Sequence, residues 1–329
     1  MLLKQPPLAY LLNSFLGIDV SKLTLDVALI FDNRTLCKQF KNSLEGFKSL
    51  AAWLASLQIT RVHACLEATG TYSEAVALFL HESGHLVSVV NPLRIKGYAG
   101  ANMQRNKTDR LDARLIASFC QTQKPDQWQP PSEAVKHLQS LVRRVEVLEE
   151  MRQAEENRLA NTVLEIKPSI ERMVALIKEE ILQLEQQIKQ HIDRNSHLKE
   201  QSELLQTIPG IGRRTANLLL SEVEFDRYAS ARAIAAQAGV TPRKKQSGTS
   251  LKQTSLSKLG NARIRRALYF PAIVARQHNE IIKEFAKRLQ KRGKTPMQIV
   301  CAAMRKLLHI AFGVLKHKRA FDASLAFSA

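Results

Sequence analysis

The first third of the chain carries apolar runs with the spacing of β-strands, and these are followed by patterns with the spacing of helices. Residues 15–31, FLGIDVSKLTLDVALIF, predict a β-hairpin, because an apolar run ends at a polar turn and LTLDVALI then alternates in part. The same criteria predict two more strands, at 62–67 and 85–91, and three helices, at 46–57, 72–84 and 109–121. A hairpin followed by alternating strands and helices implies a mixed sheet in an α/β domain.

A proline-rich linker, PDQWQPPSE at 125–133, precedes a long helical region. One heptad register, interrupted by Pro168, runs through this region. Its positions are Leu138, Leu141, Val145, Leu148, Leu159, Thr162 and Ile166 before the proline, with Arg152 and Glu155 filling two more, and Ile177, Ile181, Leu184 and Ile188 after it. Two helices broken at a proline predict an antiparallel hairpin or a coiled-coil dimerisation arm. Helices that pack only on their own domain are the alternative. From about residue 203 the chain is predicted to be mostly helical, which gives three domains: 1–126, 127–200 and 201–329.

Four carboxylates follow the predicted strands or lie on one helix. Asp19 and Glu67 are at the ends of apolar, strand-like runs, whereas Asp109 and Asp112 are three residues apart and share one helix face. A carboxylate buried beside a strand is unfavourable unless something positive compensates it. The four together therefore predict a divalent cation, most simply Mg²⁺, bound through oxygen ligands for phosphoryl chemistry. Taken singly, the three aspartates have simpler explanations as turn or helix caps, or as partners of a neighbouring arginine.

The charge of the chain predicts a polyanionic partner. The formal net charge is +19, and residues 201–329 contain 24 lysines and arginines against 7 acidic residues, a net charge of +17. The C-terminal third is therefore expected to face nucleic acid. No apolar run approaches the ~20 residues that span a bilayer. Four scattered cysteines without a CxxC pair indicate reduced thiols of an intracellular, cytoplasmic protein.

Residues 204–223, LLQTIPGIGRRTANLLLSEV, have the form of a helix-hairpin-helix. Gly210 and Gly212 let the backbone approach a phosphate, and the second helix offers free N–H groups and its positive dipole end. Arg213 and Arg214 add positive charge at the same point. Two packed helices joined by an ordinary turn are the alternative.

A second basic segment, residues 238–270, surrounds Ser247-Gly248. The cations at this segment are expected to bind nucleic acid: Arg243, Lys244, Lys245 and Lys252, followed by Arg263, Arg265 and Arg266 at the start of the next helix. A serine hydroxyl becomes a nucleophile only where a base, a metal or an electropositive site favours its ionisation. The residues alone leave open whether Ser247 is such a nucleophile or belongs to a DNA-contacting loop.

These motifs occur in the order of a known family. The motifs that carry the resemblance are GIDVSK, EATGTY, VVNP with KTDRLDA, IPGIG and the run from AGVTP through SG to KLGNARIRRAL. Through them, the chain resembles the DEDD transposases of bacterial insertion sequences, the IS one-ten family. The resemblance covers roughly residues 15–315. It implies an RNase H-like, RuvC-like N-terminal domain, a helical coiled-coil arm, and a mostly α-helical C-terminal domain with a helix-hairpin-helix.

The resemblance also implies roles for individual residues. Asp19, Glu67, Asp109 and Asp112 would bind Mg²⁺, and Ser247 would attack DNA to form a covalent phosphoserine. The partners implied are DNA at element ends and target, a structured non-coding guide RNA and further copies of the chain in a dimer or tetramer. With these partners, the protein is expected in the cytoplasm, associated with the nucleoid.

The sequence therefore predicts a recombinase whose carboxylates and nucleophile belong to different domains, so that monomers are inactive. A junction resolvase that uses only carboxylates and water is the first alternative. A non-catalytic, DNA-binding architectural protein is the second.

Overall fold

The computed structural model describes residues 14–68, 70–101, 109–247, 251–257 and 259–324, with the backbone alone at 71, 109–110, 244–247 and 251–254. The chain divides at Pro130–Pro131 into two compact units. The helices of the middle region therefore pack with the residues that follow them. The division into three domains stays a prediction.

The first unit contains five strands and four helices among its described residues. The strands are β1 (Phe15–Val20), β2 (Thr24–Phe31), β3 (Arg34–Lys41), β4 (His63–Glu67) and β5 (Leu86–Val90). The helices are α1 (Leu44–Ser56), α2 (Glu74–Glu82), α3 (Pro92–Ala101) and α4 (Asp109–Gln123). The predicted hairpin, the next two strands and the helices at 46–57, 72–84 and 109–121 are confirmed within a few residues. The sequence prediction did not include β3.

The five strands form one sheet in the order β3-β2-β1-β4-β5. β1 and β2, and β2 and β3, are antiparallel, whereas β1, β4 and β5 run parallel. Alternate strand residues face opposite sides: Leu16 and Ile18 pack with α1 and α2, and Phe15 packs with α3 and α4. The prediction of a mixed sheet with helices is confirmed.

The second unit is mostly helical. Its helices are α5 (Glu133–Ala160), α6 (Lys167–Arg194), α7 (Ser196–Gln206), α8 (Arg213–Glu222), α9 (Ala231–Gln237), α10 (Ala262–Ala267), α11 (Tyr269–His278), α12 (Glu280–Lys291) and α13 (Pro296–His317). Its strands are β6 (Pro242–Ser247) and β7 (Leu251–Leu256). The predicted mostly helical C-terminal region is confirmed, but the strands differ from the expected loop. Lysines and polar residues form most of both strands, so they lack the alternation of apolar and polar residues that predicts a strand.

α5 and α6 form an antiparallel pair. His191 Nε2 lies 2.7 Å from the carbonyl oxygen of Ala134 at one end, and Lys178 pairs with Glu156 at 3.3 Å near the other. The heptad residues Leu148, Ile177, Ile181, Leu184 and their neighbours pack between the two helices. The predicted register continued to Thr162 and Ile166, which is wrong, because α5 ends at Ala160 and Ile166 precedes α6.

α13 is the central helix of the second unit. Thr295 caps it in a capping box with Gln298, and Pro296 occupies the first turn. By length and composition alone, α13 could cross a membrane. No apolar run of that length was expected from the sequence. Ala303, Leu307 and Leu308 are completely buried in the protein core. The apolar composition of α13 is thus explained by burial within the fold.

Candidate functional site

Asp19 and Glu67 lie beside each other at the carboxyl ends of two neighbouring parallel strands. Ile18 of β1 is paired with Leu66 of β4, and the two carboxylates are the next residues along these strands. Paired residues of parallel strands point to the same face of the sheet. Both side chains are half-buried. The register thus places the two carboxylates side by side, and their role in binding a metal stays a prediction.

α4 covers the sheet face on which Asp19 lies. Gly17 precedes Asp19 by two residues and faces the same side, and a Cβ atom at Gly17 would lie 2.2 Å from both Ala113 O and Ala117 N. At the other end of the helix, Cys120 Sγ donates to the carbonyl oxygen of His63 at 3.4 Å. α4 therefore runs opposite to β1 and β4, and its N-terminal turn lies toward the strand ends.

This direction brings the remaining two predicted carboxylate positions to the same end of the sheet. The backbone of Asp109 begins α4, and half-buried Asp112 is one residue before Ala113, which packs over Gly17. The side chain of Asp109 lies outside the described residues. Glu67, Asp19 and the first turn of α4 thus converge through strand register and helix direction.

Asp26 is a further carboxylate at this position, and the sequence reasoning did not single it out. It is the cross-strand partner of Asp19 and is only 7% exposed. Ala28, two residues along β2, packs against α4, so Asp26 faces the same side. Both of its oxygens accept hydrogen bonds from Gln39 Nε2, at 3.0 and 3.2 Å. The signal in the sequence was an aspartate within the apolar run LTLDVALI.

The donor atoms fit a hard divalent cation. Carboxylate oxygens are ligands that Mg²⁺ accepts, and two or more carboxylates on one side of a sheet gain from a cation between them. Among the side chains that the structure describes, no group of three or more His, Cys, Asp or Glu is close enough to hold a metal ion. That set does not include the side chain of Asp109. An assembled metal site with Asp19, Glu67, Asp109 and Asp112 therefore stays a prediction.

Ser247 is the last residue of β6 in the second unit. Its backbone is paired with that of Leu251 at the end of an antiparallel hairpin. Lys244 and Lys245 belong to β6 and Lys252 to β7. The side chains of these four residues lie outside the described part of the chain, whereas Arg243 is described and exposed. The predicted roles of Ser247 and of the surrounding cations stay predictions.

The IPGIG turn connects α7 and α8 and is tightly packed. Gly210 has a φ of +104°, and a Cβ atom there would lie 2.7 Å from Ala275 Cβ of α11. Glycine is required by both the backbone conformation and the close approach. Gly212 precedes α8 without a side-chain cap, and Arg213 is exposed next to it. This turn has the features expected of a phosphate contact, but the helix-hairpin-helix role stays a prediction.

Three arginines predicted to contact nucleic acid form ion pairs within the second unit. Arg214 donates to Glu149 at 3.0 Å and to Glu185 at 2.7 Å. Arg266 donates to Glu150 at 3.0 Å, and Arg263 is paired with Glu146. Arg265 instead donates to the carbonyl oxygen of Ala238 at 3.3 Å. The glutamates all belong to α5 and α6, so the helical pair supplies carboxylates to the arginines of α8 and α10.

Two family descriptions match the chain. Residues 16–168 match a family described as "Transposase", and residues 202–287 match the "Transposase IS116/IS110/IS902 family". The first match includes all four predicted metal-binding positions, and the second includes the IPGIG turn and Ser247.

Similar whole proteins carry related names. The "Pilin gene-inverting protein" of Moraxella bovis is 36% identical over 315 residues, which cover 94% of this chain and 98% of that protein. The "Transposase for insertion sequence element IS1328" of Yersinia enterocolitica is 25% identical over 282 residues, covering 75% of this chain and 82% of the other.

Among solved structures, "T. thermophilus RuvC in complex with Holliday junction substrate" is similar to part of the chain. The sequence identity is 14% and the TM-score is 0.27, with coverage of 35% of this chain and 98% of the solved chain. A similarity of this size is too weak to inform the reaction.

Proposed function

The chain belongs to the IS116/IS110/IS902 family of transposases and is an enzyme of DNA recombination, and we propose that it cuts and rejoins DNA through a covalent bond to Ser247. The observation that carries the chemistry is the convergence of Asp19, Glu67 and the first turn of α4 at one end of the sheet. A family name alone does not say how phosphodiester bonds are broken, whereas oxygen ligands at this position suit metal-assisted phosphoryl transfer.

The four carboxylates are assigned to one divalent cation site. Asp19, Glu67, Asp109 and Asp112 would hold Mg²⁺, with a RuvC-like role for the first unit. Bound there, Mg²⁺ would act as a Lewis acid toward a phosphate oxygen. Asp19 and Glu67 are held by strand register, and Asp112 by the packing of α4 on Gly17. Three elements of the core thus position the ligands, which favours a fixed geometry.

Ser247 is assigned the nucleophilic role. Its hydroxyl group would give up its proton, and Oγ would attack the scissile phosphorus. The bond from phosphorus to the 3′ oxygen would break, and that oxygen would take up a proton and leave as a hydroxyl group. The product is a phosphoserine at the 5′ end of the cut strand. A 3′-hydroxyl group of another strand then attacks the phosphoserine and releases the serine. Because the bond energy is retained, rejoining needs no ATP. The cations of the hairpin and Arg243 would hold the phosphate.

The proposed partners follow from charge and from the relatives. DNA is the substrate, and the net charge of +17 over residues 201–329 supplies attraction to its backbone. The relatives named for gene inversion and transposition suggest that the rejoined DNA is inverted or moved. A guide RNA would supply sequence recognition by base pairing, with the protein contacting backbone and shape. We assign the protein to the cytoplasm, associated with the nucleoid.

Assembly is assigned to the pair α5 and α6 as a coiled-coil arm. Several apolar side chains of this pair are exposed: Val147, Met151, Met173, Leu176 and Leu182. Exposed apolar side chains on a long helix pair suit contact with a second copy. A dimer or tetramer would then bring together carboxylates and serines from different copies. Phosphate contact at the IPGIG turn, in a helix-hairpin-helix, completes the proposed nucleic-acid surface.

The test is a search for a covalent protein–DNA adduct. The full chain is incubated with DNA from the element ends, candidate RNA and Mg²⁺, and adducts that survive denaturation are measured on gels. We expect an adduct in the wild type that Ser247→Ala abolishes. Ser196→Ala, which changes an exposed serine at the start of α7 in the same unit, serves as the matched control and should retain the adduct.

Two outcomes would contradict the proposal. If Ser247→Ala still cleaves DNA, the carboxylates act with water alone, as in a resolvase. If Asp19→Asn and Glu67→Gln retain full strand exchange and Mg²⁺ has no effect, the carboxylates have no part in the reaction.

A further inference from the structure

The second unit contains an apolar groove beside the strands that carry Ser247. Its volume is about 800 Å³, and it lies between the ends of β6 and β7 and the helices α12 and α13. Its apolar walls are formed by Val240, Leu256, Phe285, Leu289 and Met297. Phe285 and Leu289 are half-buried and Met297 is 56% exposed, so apolar surface lines an open site. Such a groove suits a flat, apolar group from outside the chain.

The rim of the groove is cationic. Lys294, Arg305 and Lys306 line it, and none of its described lining residues is acidic. Residues 201–329 of a second copy carry a net charge of +17, so like charges oppose entry of that part of the chain. A polyanion is attracted instead. Apolar walls with a cationic rim are the two features by which single-stranded nucleic acid is bound, through its bases and its phosphates.

His309 adds a polar group without a partner. Its Nε2 atom is buried and makes no hydrogen bond within the described part of the chain. Burial, followed by the charges of Arg305, Lys306 and Arg232, lowers the pKa of the ring, which is therefore neutral at pH 7. A neutral imidazole adds no charge to the groove, and its buried Nε2 atom is not available to a ligand.

The groove is close to Ser247 along the chain. Pro242 lines the groove and begins β6, and Ser247 ends the same strand. Five residues of extended strand span about 16 Å. A nucleotide in the groove would therefore lie within a few nucleotides of a phosphate at Ser247.

We propose that this groove binds an unstacked nucleobase next to the scissile phosphate, with the flanking phosphates on Lys294, Arg305 and Lys306. The inference rests on the proposed action on DNA and extends it to the form of the substrate: a strand with at least one unpaired nucleotide beside the cleavage point. Apolar walls and the ring of Phe285 replace the stacking that the base loses on leaving the duplex.

The experiment compares two DNA duplexes that differ in one group. One carries a single unpaired 2-aminopurine nucleotide, and the other carries an abasic nucleotide at the same position. Binding of each to the full chain is measured by fluorescence anisotropy, and 2-aminopurine emission reports on stacking. We expect the wild type to bind the duplex with the base about tenfold more tightly, as loss of one stacked base predicts.

Two variants with similar exposure separate the groove from general surface effects. Met297→Ala should reduce the tenfold preference to about threefold or less, because it removes part of the apolar wall. Leu44→Ala changes a residue of α1 that is 60% exposed, against 56% for Met297, and should retain the preference. Arg305→Gln should weaken binding of both duplexes equally. The same pair of oligonucleotides made of RNA shows whether DNA or a guide RNA supplies the base.

Equal affinity of the wild type for the two duplexes would overturn the inference. The inference would also be overturned if Met297→Ala had a lower oligomeric mass in light scattering but kept the preference for the base. The groove would then bind a second copy of the chain. Absence of the Ser247 adduct together with an intact base preference overturns the proposed reaction and supports the groove.

Discussion

Gly17 of β1 and Ala117 of α4 are in direct backbone contact, and a Cβ atom on Gly17 would lie 2.2 Å from the amide nitrogen of Ala117. Only glycine permits this approach of helix to sheet. The contact fixes the height of α4 above β1 and with it the position of Asp112, so the geometry of the carboxylates depends on a residue that has no side chain.

The first prediction concerns this contact. Gly17→Ala should displace α4, lower the free energy of unfolding by about 1–3 kcal/mol and weaken metal binding, because the added methyl group has backbone on two sides. Chemical denaturation and a Mn²⁺ titration measure the two effects. Gly97→Ala is the control, since a Cβ atom there meets nothing within 4 Å, and it should change neither property adversely. Unchanged metal affinity in Gly17→Ala would contradict the proposed place of the metal.

The second prediction concerns Asp26. Asp26→Asn should weaken binding of Mn²⁺ or Mg²⁺ by roughly tenfold, because it removes a negative charge about 5 Å across the strands from Asp19 in a partly buried site. The hydrogen bond with Gln39 can be kept by the amide oxygen. Asp32→Asn, in the turn at the other end of β2, makes the same charge change and should have little effect. If the wild type and Asp26→Asn bind the metal with equal affinity, Asp26 has no part in metal binding and only accepts the hydrogen bonds from Gln39.

The third prediction concerns Arg214, which is paired with Glu149 and Glu185. Replacing both glutamates by glutamine should strengthen non-specific DNA binding and increase the slope of log affinity against log salt by about one unit, because one more cation reaches phosphate. Stability should fall by less than about 1 kcal/mol for each exposed pair. The matched control replaces two glutamates of α6, Glu179 and Glu180, which are exposed. If both double variants bind DNA alike, net charge alone explains the change.

The fourth prediction is a dependence of stability on pH. Burial lowers the pKa of His63, whose Nε2 atom lies 2.8 Å from Ser88 Oγ. Because the folded-state pKa lies below the unfolded value of about 6.5, the unfolded chain binds more protons as the pH falls. Stability is therefore fully present above pH ~6.5 and is lost as the pH falls toward the folded-state pKa.

The two tryptophans, Trp53 and Trp128, belong to the same unit as His63 and report its unfolding by fluorescence. The urea midpoint should decrease between about pH 7 and pH 5, and less so in His63→Gln. His85, whose pKa is lowered by burial and by Arg61, contributes a further dependence of the same sign. A His63→Gln curve that runs parallel to that of the wild type would contradict the assignment to His63.

The strand ends were predictable because apolar runs identify buried strands. Asp19 and Glu67 were found in this way, and parallel pairing of β1 and β4 then placed them together. β3 was missed because RTLCKQFK at the sheet edge is largely exposed and has little apolar alternation. β6 and β7 were missed for the same reason, since lysines and polar residues form most of both strands.

Tertiary pairing accounts for what the sequence could not show. Asp26 lies within a strand that was predicted correctly, but its position next to Asp19 depends on the register of the hairpin. Arg263 and Arg266 were expected to contact nucleic acid because they belong to a basic segment. Their glutamate partners are more than a hundred residues away in sequence, so only the folded chain reveals them.

The ion pairs between α5 and the arginines have a consequence for selectivity. A protein with a net charge of +19 is attracted to every nucleic acid in a cell. If phosphates bind Arg214, Arg263 and Arg266, each phosphate must displace a carboxylate that already neutralises the same group. A DNA segment that touches one arginine gains little from this exchange, whereas one that engages several at once gains from all of them together. The glutamates thus lower the affinity gained at each contact, so an encounter with DNA that engages a single arginine is soon reversed.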